Sequence, residues 1–220
     1  KLSRTLATRI SRRYRQSRKR RKVDMRRTIR RNMCYGGVLL DLKYVSARVQ
    51  KPKLLLICDV SESMARYGSF VLQFIYGLSS VVDGIESFAF SEDFCRLSPL
   101  FAEQRGFEAT MADFLNESAK LGRGTDLHQA LAKLNAHYKN LLTSKTIVII
   151  VSDTKTLAAE KALKELQALR RQVKEVIWLN TLPKGYWDSV KTVALFQKEC
   201  LMFECYTLSH LEHIVRRKIF

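Results

Sequence analysis

The sequence predicts an α/β fold with a doubly wound, mostly parallel sheet and a basic N-terminal extension. The main observation is a pair of unbroken apolar runs, residues 54–58 and 146–151, which are followed by Asp59 and by Ser152-Asp153. Continuous apolar runs are typical of parallel strands that helices cover on both faces. Segments with helical periodicity separate these runs, and alternating strands and helices imply a doubly wound sheet.

The remaining elements follow from local patterns. Asp83-Gly84 marks a turn before a short strand, and Thr125 or Asp126 can cap a helix through a side-chain oxygen. The predicted helices are residues 64–82, 107–121, 126–140, 158–171 and 208–219, and the additional strands are residues 85–90 and 173–179.

The positive charge is concentrated at the N-terminal end. Residues 1–50 hold 17 Lys and Arg against Asp24 and Asp41 alone, and so carry +15 of the formal charge of +18. Apolar residues recur at a sparse helical spacing over residues 4–31, and like charges along such a helix repel each other. We therefore expect a basic arm that is only partly ordered until it meets an acidic surface. With a strand-like segment at residues 38–49, the predicted organisation is an arm plus an edge strand or hairpin at residues 1–50, and an α/β domain at residues 51–220.

Composition argues against several classes of protein. No stretch approaches the roughly 18 consecutive apolar residues of a membrane span, and no apolar segment of a secretion signal follows the basic N-terminus. The five cysteines are odd in number and lack CxxC spacing, which argues against a disulfide framework and a structural zinc site. Free thiols suit a reducing compartment, so we expect a cytoplasmic protein with Cys58 in its core.

Three polar segments are predicted to meet at one edge of the sheet. One follows the first apolar strand, one precedes the helix that begins near Asp126, and one follows the second apolar strand. Open α/β sheets bind ligands at the carboxyl ends of their strands. The candidate ligands at this edge are Asp59, Ser61, Ser63, Thr125 and Asp153.

The chemistry of these candidates predicts the kind of ion. Ligands that are all oxygen suit Mg²⁺ or Mn²⁺, whereas Zn²⁺ and Cu²⁺ prefer nitrogen or sulfur. Hydroxyls are neutral, so a cation held by three hydroxyls and two carboxylates remains electrophilic. A carboxylate on a protein partner can complete its coordination, and metal binding and partner binding then become a single event.

The order of these segments resembles the metal-ion-dependent adhesion site (MIDAS) of von Willebrand factor A (VWA) domains. That site combines a D-x-S-x-S motif, here residues 59–63, with a distant Thr and a distant Asp. The resemblance covers about residues 52–220 and implies a Rossmann-like fold. It also implies that Ser61, Ser63 and Thr125 ligate the ion through hydroxyls, while Asp59 and Asp153 bind it directly or through water.

Two positions depart from the VWA pattern. Glu62 stands where Gly is common, and Arg123 interrupts the usual Gly-Gly-Gly-Thr-Asp sequence. Both changes place a charged side chain beside the predicted ion, so they bear on its affinity and on the choice of partner.

The segment that precedes the domain narrows the resemblance. Residues 23–31 (VDMRRTIRR), the pair Gly36-Gly37, a strand and then the Asp-Val-Ser motif follow in the order found in CoxE-like proteins. Members of that group are encoded beside MoxR-type AAA+ ATPases, and in the best-known setting beside molybdenum-containing carbon monoxide dehydrogenase. The resemblance implies an adaptor that joins such an ATPase to a metalloenzyme client during maturation.

Two alternatives remain. An aspartate at a strand end above Mg²⁺ is also the nucleophile of some phosphatases, but those enzymes usually need a second carboxylate two residues on, where this chain has Ser61. We therefore expect no enzymatic activity. The basic arm could instead bind nucleic acid through phosphate contacts. Tyr14 is the one aromatic residue in its densest part, so base stacking would be weak. The resemblance to CoxE-like proteins favours an acidic protein surface over nucleic acid.

Overall fold

The computed structural model describes residues 9–17, 22–35, 40–50, 53–68, 73, 75–76, 85–102 and 107–214. These residues fall into two units, one within residues 7–51 and the other from residue 52 onward. No helix in the described part of the chain is long and apolar enough to cross a membrane.

The first unit is a small antiparallel sheet with one helix. Its elements are β1 (Arg9–Ser17), β2 (Lys22–Val23), α1 (Met25–Asn32), a 3-10 turn (Met33–Tyr35) and β3 (Tyr44–Gln50). Strand β3 lies in the centre, with β1 and β2 on either side. The Asp24 carboxylate caps α1 by accepting a hydrogen bond from the Arg27 N–H, at 3.2 Å.

The helical arm that we expected over residues 4–31 is wrong for Arg9–Ser17, which is a strand. Its partner β3 lies far along the chain, and pairing of this kind overrides local propensity, so the pattern within the segment could not reveal it. Only Met25–Asn32 of this stretch is α-helical among the described residues. Residues 1–8 and 18–21 of the predicted arm and the pair Gly36-Gly37 lie outside the described part.

A mostly parallel sheet carries the second unit. Its strands are β4 (Lys53–Asp59), β5 (Glu86–Phe90), β6 (Phe94–Arg96), β7 (Thr146–Ser152), β8 (Glu175–Asn180) and β9 (Leu201–Glu204). They lie in the order β6-β5-β4-β7-β8-β9, and every neighbouring pair is parallel except β5 and β6. This architecture confirms the predicted doubly wound, mostly parallel sheet.

Helices connect and cover these strands. They are a 3-10 helix (Glu62–Tyr67), α2 (Ser98–Ala102), α3 (Phe107–Lys120), α4 (Leu127–His137), α5 (Ala159–Gln172), a second 3-10 helix (Lys184–Ser189), α6 (Lys191–Gln197) and α7 (Leu208–Ile214). The helix predicted at residues 64–82 begins as the first 3-10 helix, and Gly68, Gln73, Ile75 and Tyr76 have helical backbone. Its other residues after Gly68 lie outside the described part, as do residues 215–219 of the predicted last helix and the turn at Asp83-Gly84.

Both faces of the sheet are buried, which explains why its central strands read as unbroken apolar runs. Leu54, Leu56 and Cys58 of β4 pack into one apolar cluster, while Leu55 and Ile57 pack into the other. Cys58 is thus a core residue as expected, and all five cysteines are free thiols.

Candidate metal centre

The polar strand ends meet at the point where the sheet changes its winding direction. From β4 the chain adds β5 and β6 on one side, then returns to place β7 against the other side of β4. Loops after β4 and β7 therefore leave in opposite directions and open a crevice between the two carboxyl ends, the usual ligand position of such sheets. The register pairs Cys58 with Val151, so Asp59 and Ser152 lie side by side.

The Asp59 carboxylate is the centre of the first segment, and only 1% of its residue surface is exposed. One carboxylate oxygen accepts a hydrogen bond from the Ser61 N–H (3.0 Å) and the other accepts one from the Ser152 hydroxyl (2.7 Å). The hydroxyl oxygens of Ser61 and Ser63 lie 3.2 Å apart. The D-x-S-x-S segment thus folds around its own carboxylate and brings two hydroxyls together.

The segment before α4 is joined to the first segment through the backbone. The Glu62 N–H donates to the Arg123 carbonyl oxygen (3.1 Å), which places the residue before Gly124-Thr125 against the D-x-S-x-S turn. Asp126, rather than Thr125, caps α4 by accepting from the Gln129 N–H at 2.9 Å. No hydrogen bond of the Thr125 hydroxyl occurs within the described residues, so that oxygen remains available.

Two residues at the end of β5 hold this loop in place. The Ser91 hydroxyl is within hydrogen-bond distance of the carbonyl oxygens of Gly122 (3.0 Å) and Gly124 (2.6 Å), and the Glu92 carboxylate accepts from the Gly124 N–H (2.9 Å). Gly122 has a φ of +86°, and a Cβ there would lie 2.6 Å from a Glu92 carboxylate oxygen. Only glycine satisfies both the backbone conformation and the close approach.

The third segment begins at buried Asp153. One of its carboxylate oxygens accepts from the Lys155 N–H (3.1 Å), and the other lies 3.4 Å from the Lys155 ammonium nitrogen. The intervening Thr154 has a φ of 68°, a left-handed conformation that is unfavourable for a β-branched residue. A few residues later the Leu157 N–H donates to the Thr125 carbonyl oxygen (3.2 Å), so the second and third segments are also joined.

The Asp59 carboxylate makes no ion pair within the described residues, whereas its neighbour Asp153 has the Lys155 ammonium 3.4 Å away. Burial away from water raises the pKa of the Asp59 carboxyl from 3.8 to about 6, and the nearby Asp153 carboxylate raises it further, although the Ser61 and Ser152 hydrogen bonds oppose both effects. A buried carboxylate whose pKa rises despite several hydrogen bonds lacks a positive charge nearby. A divalent cation would supply that charge.

The donors that surround the crevice fit a hard cation. They are carboxylate and hydroxyl oxygens, which Mg²⁺ and Mn²⁺ accept. No group of three or more His, Cys, Asp and Glu side chains suited to a metal occurs in the described ranges, so the fit depends on the hydroxyls. The assignment of the five residues as ligands stays a prediction.

The residues that support the candidate ligands were not predicted from the sequence. Ser152, Ser91 and Glu92 orient the candidate ligands, yet none was singled out for that role. The available signal was their position at the same edge of the sheet, because Ser152 ends β7 and Ser91 and Glu92 directly follow β5. Which backbone groups they would meet depends on long-range packing and is not visible in sequence.

With this geometry in place, the fold can be compared with solved structures. The chain is similar to proximal thread matrix protein 1 from the mussel byssus (16% identity, TM-score 0.51, 76% of this chain and 47% of that one). A further structure of that protein has a zinc-occupied MIDAS motif, with the same similarity. The chain is also similar to a von Willebrand factor type A protein from Catenulispora acidiphila (13% identity, TM-score 0.50, 80% of this chain and 43% of that one). The fold is therefore that of a VWA domain, and the chain spans about half the length of these structures.

The family assignment comes from the sequence itself. Residues 1–214 match the family described as VWA domain containing CoxE-like protein, and the chain belongs to that family. The match confirms the resemblance drawn from the motif order. No protein with a curated description matches the chain.

Proposed function

We propose that this chain is a metal-dependent protein–protein interaction module that works without catalysis of its own. In this proposal Asp59, Ser61, Ser63, Thr125 and Asp153 hold one Mg²⁺ or Mn²⁺, and a carboxylate of a protein partner completes the coordination. The observation that carries the proposal is the Asp59 carboxylate, which is buried at the winding reversal of the sheet, has a pKa raised to about 6, and lies beside two hydroxyls. Family membership supports the same conclusion.

The geometry around Asp59 favours binding over nucleophilic catalysis. Both carboxylate oxygens accept hydrogen bonds from within the protein, and the residue is almost fully buried. A nucleophile must reach a substrate and usually has an acid or base group beside it. The position two residues on is Ser61, a hydroxyl rather than a carboxylate, which stands at the N-cap position of the following 3-10 helix without a side-chain capping hydrogen bond. These features support a holding role for Asp59.

The partners are proposed from the family. We propose that the module joins a MoxR-type AAA+ ATPase to a metalloenzyme client, such as a carbon monoxide dehydrogenase-like enzyme, during its maturation. The exposed rim of the crevice carries Glu62 and Arg123, two charged side chains of opposite sign. A partner carboxylate that approaches the cation would be attracted by one and repelled by the other, so these two residues would affect partner choice.

The metal part of the proposal is tested by calorimetric titration of the full chain with MgCl₂ and MnCl₂. We expect one bound ion for the wild type, none for Asp59→Ala, and unchanged binding for the control Asp188→Ala, which removes an exposed carboxylate. Equal binding by wild type and Asp59→Ala would reject the assigned site.

The partner part is tested with a purified MoxR-type AAA+ ATPase from the same organism. Because the ATPase itself needs Mg²⁺, chelation is ambiguous, and Asp59→Ala at constant Mg²⁺ is the better perturbation. We expect its affinity for the ATPase to fall at least about tenfold, on the order of 1.4 kcal/mol. Unchanged affinity in a variant that has lost its ion would show that the cation does not bridge the two proteins.

A further inference from the structure

Helix α1 of the first unit is oriented with its polar side inward. Its buried residues are Thr28 and Asn32, whereas Met25, Ile29 and Met33, the last just after the helix, are 54%, 52% and 70% exposed. Surface helices usually bury their apolar side. This helix does the reverse, and the cause lies in its hydrogen bonds.

Asn32 and Thr28 bind the backbone of the segment that leads into β3. The Asn32 amide nitrogen donates to the Asp41 carbonyl oxygen (2.8 Å), and its amide oxygen accepts from the N–H groups of Leu40 and Asp41 (2.8 Å each). The Thr28 hydroxyl accepts from the Lys43 N–H (3.0 Å). Buried polar groups require such partners, so these bonds fix the polar side inward and leave the apolar residues facing outward.

The outward residues form a continuous stripe. Met25, Ile29 and Met33 are spaced four residues apart and therefore lie one above another along the helix. Six of the eleven large hydrophobic residues that are exposed in the described part of the chain fall within residues 25–42. Apolar exposure concentrated in this way marks an interaction surface rather than random scatter.

A row of positive charge borders the stripe. Arg26 and Arg30 each follow a stripe residue and lie on the adjoining side of the helix. On the far side, Arg27 lies 3.6 Å from an Asp24 carboxylate oxygen and Arg31 lies 3.5 Å from one of Asp41. Arg26 and Arg30 make no ion pair with a carboxylate of the described residues, so their charge is available to a partner.

We infer that this face of α1, the docking face formed by Met25, Ile29, Met33, Arg26 and Arg30, binds an apolar groove edged by carboxylates on a partner protein. The spacing of the apolar residues is that of a helix inserted into a groove, and the arginine row requires acidic complementarity. The inference does not depend on the metal centre, so the two can fail separately.

Other occupants fit the docking face less well. Nucleic acid would use the arginines but would gain little from the aliphatic stripe. A second copy would bring two strongly positive units together, since residues 1–50 carry +15. A membrane surface would receive three apolar side chains on a short helix, which is a weak anchor when even one acyl chain gives only marginal binding.

The test uses the full chain and a fluorescent synthetic helix that has a leucine stripe edged by glutamates. The measurement is anisotropy in EDTA and again in Mg²⁺. We expect Ile29→Ser to weaken binding about tenfold and Arg30→Gln to weaken it a few-fold, with the second loss disappearing at high salt. The control Leu115→Ser removes an exposed leucine on α3 and should leave binding unchanged. Because Ile29 and Arg30 are exposed, the Ile29→Ser and Arg30→Gln variants should match the wild type in circular dichroism and thermal midpoint.

Each of the following four outcomes would overturn the inference. If a helix with serines in place of the leucines binds equally well, charge alone is responsible. If binding requires Mg²⁺, the glutamates are at the metal centre instead. If vesicles of phosphatidylserine and phosphatidylcholine bind in an Ile29-dependent manner while the peptide does not, the occupant is a membrane. If only duplex DNA binds, and Arg30→Gln but not Ile29→Ser abolishes it, the occupant is nucleic acid.

Discussion

Replacing Asp59 by Asn should stabilise the metal-free protein at neutral pH. The folded state raises the pKa of this carboxyl from 3.8 to about 6, mainly through burial. Each tenfold change in proton affinity corresponds to about 1.4 kcal/mol, so folding disfavours the charged form by up to about 3 kcal/mol. Asparagine removes the charge and keeps an acceptor for the Ser61 N–H, and its amide can donate to the Ser152 hydroxyl oxygen. We expect a gain of about 1–3 kcal/mol in the free energy of unfolding.

The pH dependence has a defined sign. Because the folded pKa is the higher one, the wild type gains stability from this group as the pH falls through about 6 and loses it as the pH rises. The advantage of Asp59→Asn should therefore be largest above pH 6 and vanish near pH 4. Urea unfolding in EDTA at several pH values measures the difference directly.

Magnesium should reverse the order of the two proteins. A ligand present at about 1,000 times its dissociation constant stabilises by about 4.1 kcal/mol, which exceeds the advantage expected for Asp59→Asn, and the wild type should gain this while Asp59→Asn gains little. If Asp59→Asn is no more stable than the wild type in EDTA at neutral pH, the carboxylate is already compensated within the protein. A requirement of Asp59 for a bound cation would then be refuted.

Two further variants test the surroundings of the crevice. Lys155→Met removes the ammonium that lies 3.4 Å from an Asp153 carboxylate oxygen. Because that lysine is largely exposed, calorimetry should show Mg²⁺ binding only about two- to fivefold tighter. Weaker binding would show that the lysine supports the site. Gly122→Ala forces a left-handed alanine against Glu92 and should lower the free energy of unfolding by about 1–3 kcal/mol. Gly185→Ala, where a Cβ meets nothing within 4 Å, is the control, and equal effects in urea unfolding would rule out the close approach as the cause.

The central strands of the sheet could be predicted because strands that are buried on both faces have continuous apolar sequences. Residues 54–58 and 147–151 are apolar at every position, as strands covered on both faces require. Short edge strands such as Phe94–Arg96 and Leu201–Glu204 have no such signal. Strand β1 was not predicted for a different reason. Its arginine-rich sequence forms a strand because it pairs with β3, and local sequence patterns do not reveal that distant partner.

The candidate site was predictable in its residues but not in its supports. The order of the motifs identified the candidate ligands, because loops at the carboxyl ends of parallel strands meet at one edge of the sheet. The hydrogen bonds from Ser152 to Asp59 and from Gly124 to Glu92 depend on the register between strands and on loop packing. The inward polar side of α1 was equally hidden, because Thr28 and Asn32 look like surface residues until the bonded segment at residues 40–43 is known.

The most direct test of the proposed metal centre is an anomalous difference map from crystals of the full chain soaked in MnCl₂. We expect one strong peak at the carboxyl ends of β4 and β7, within coordination distance of the Ser61, Ser63 and Thr125 hydroxyls. A peak elsewhere, or one from which Thr125 points away, would contradict the proposed metal centre.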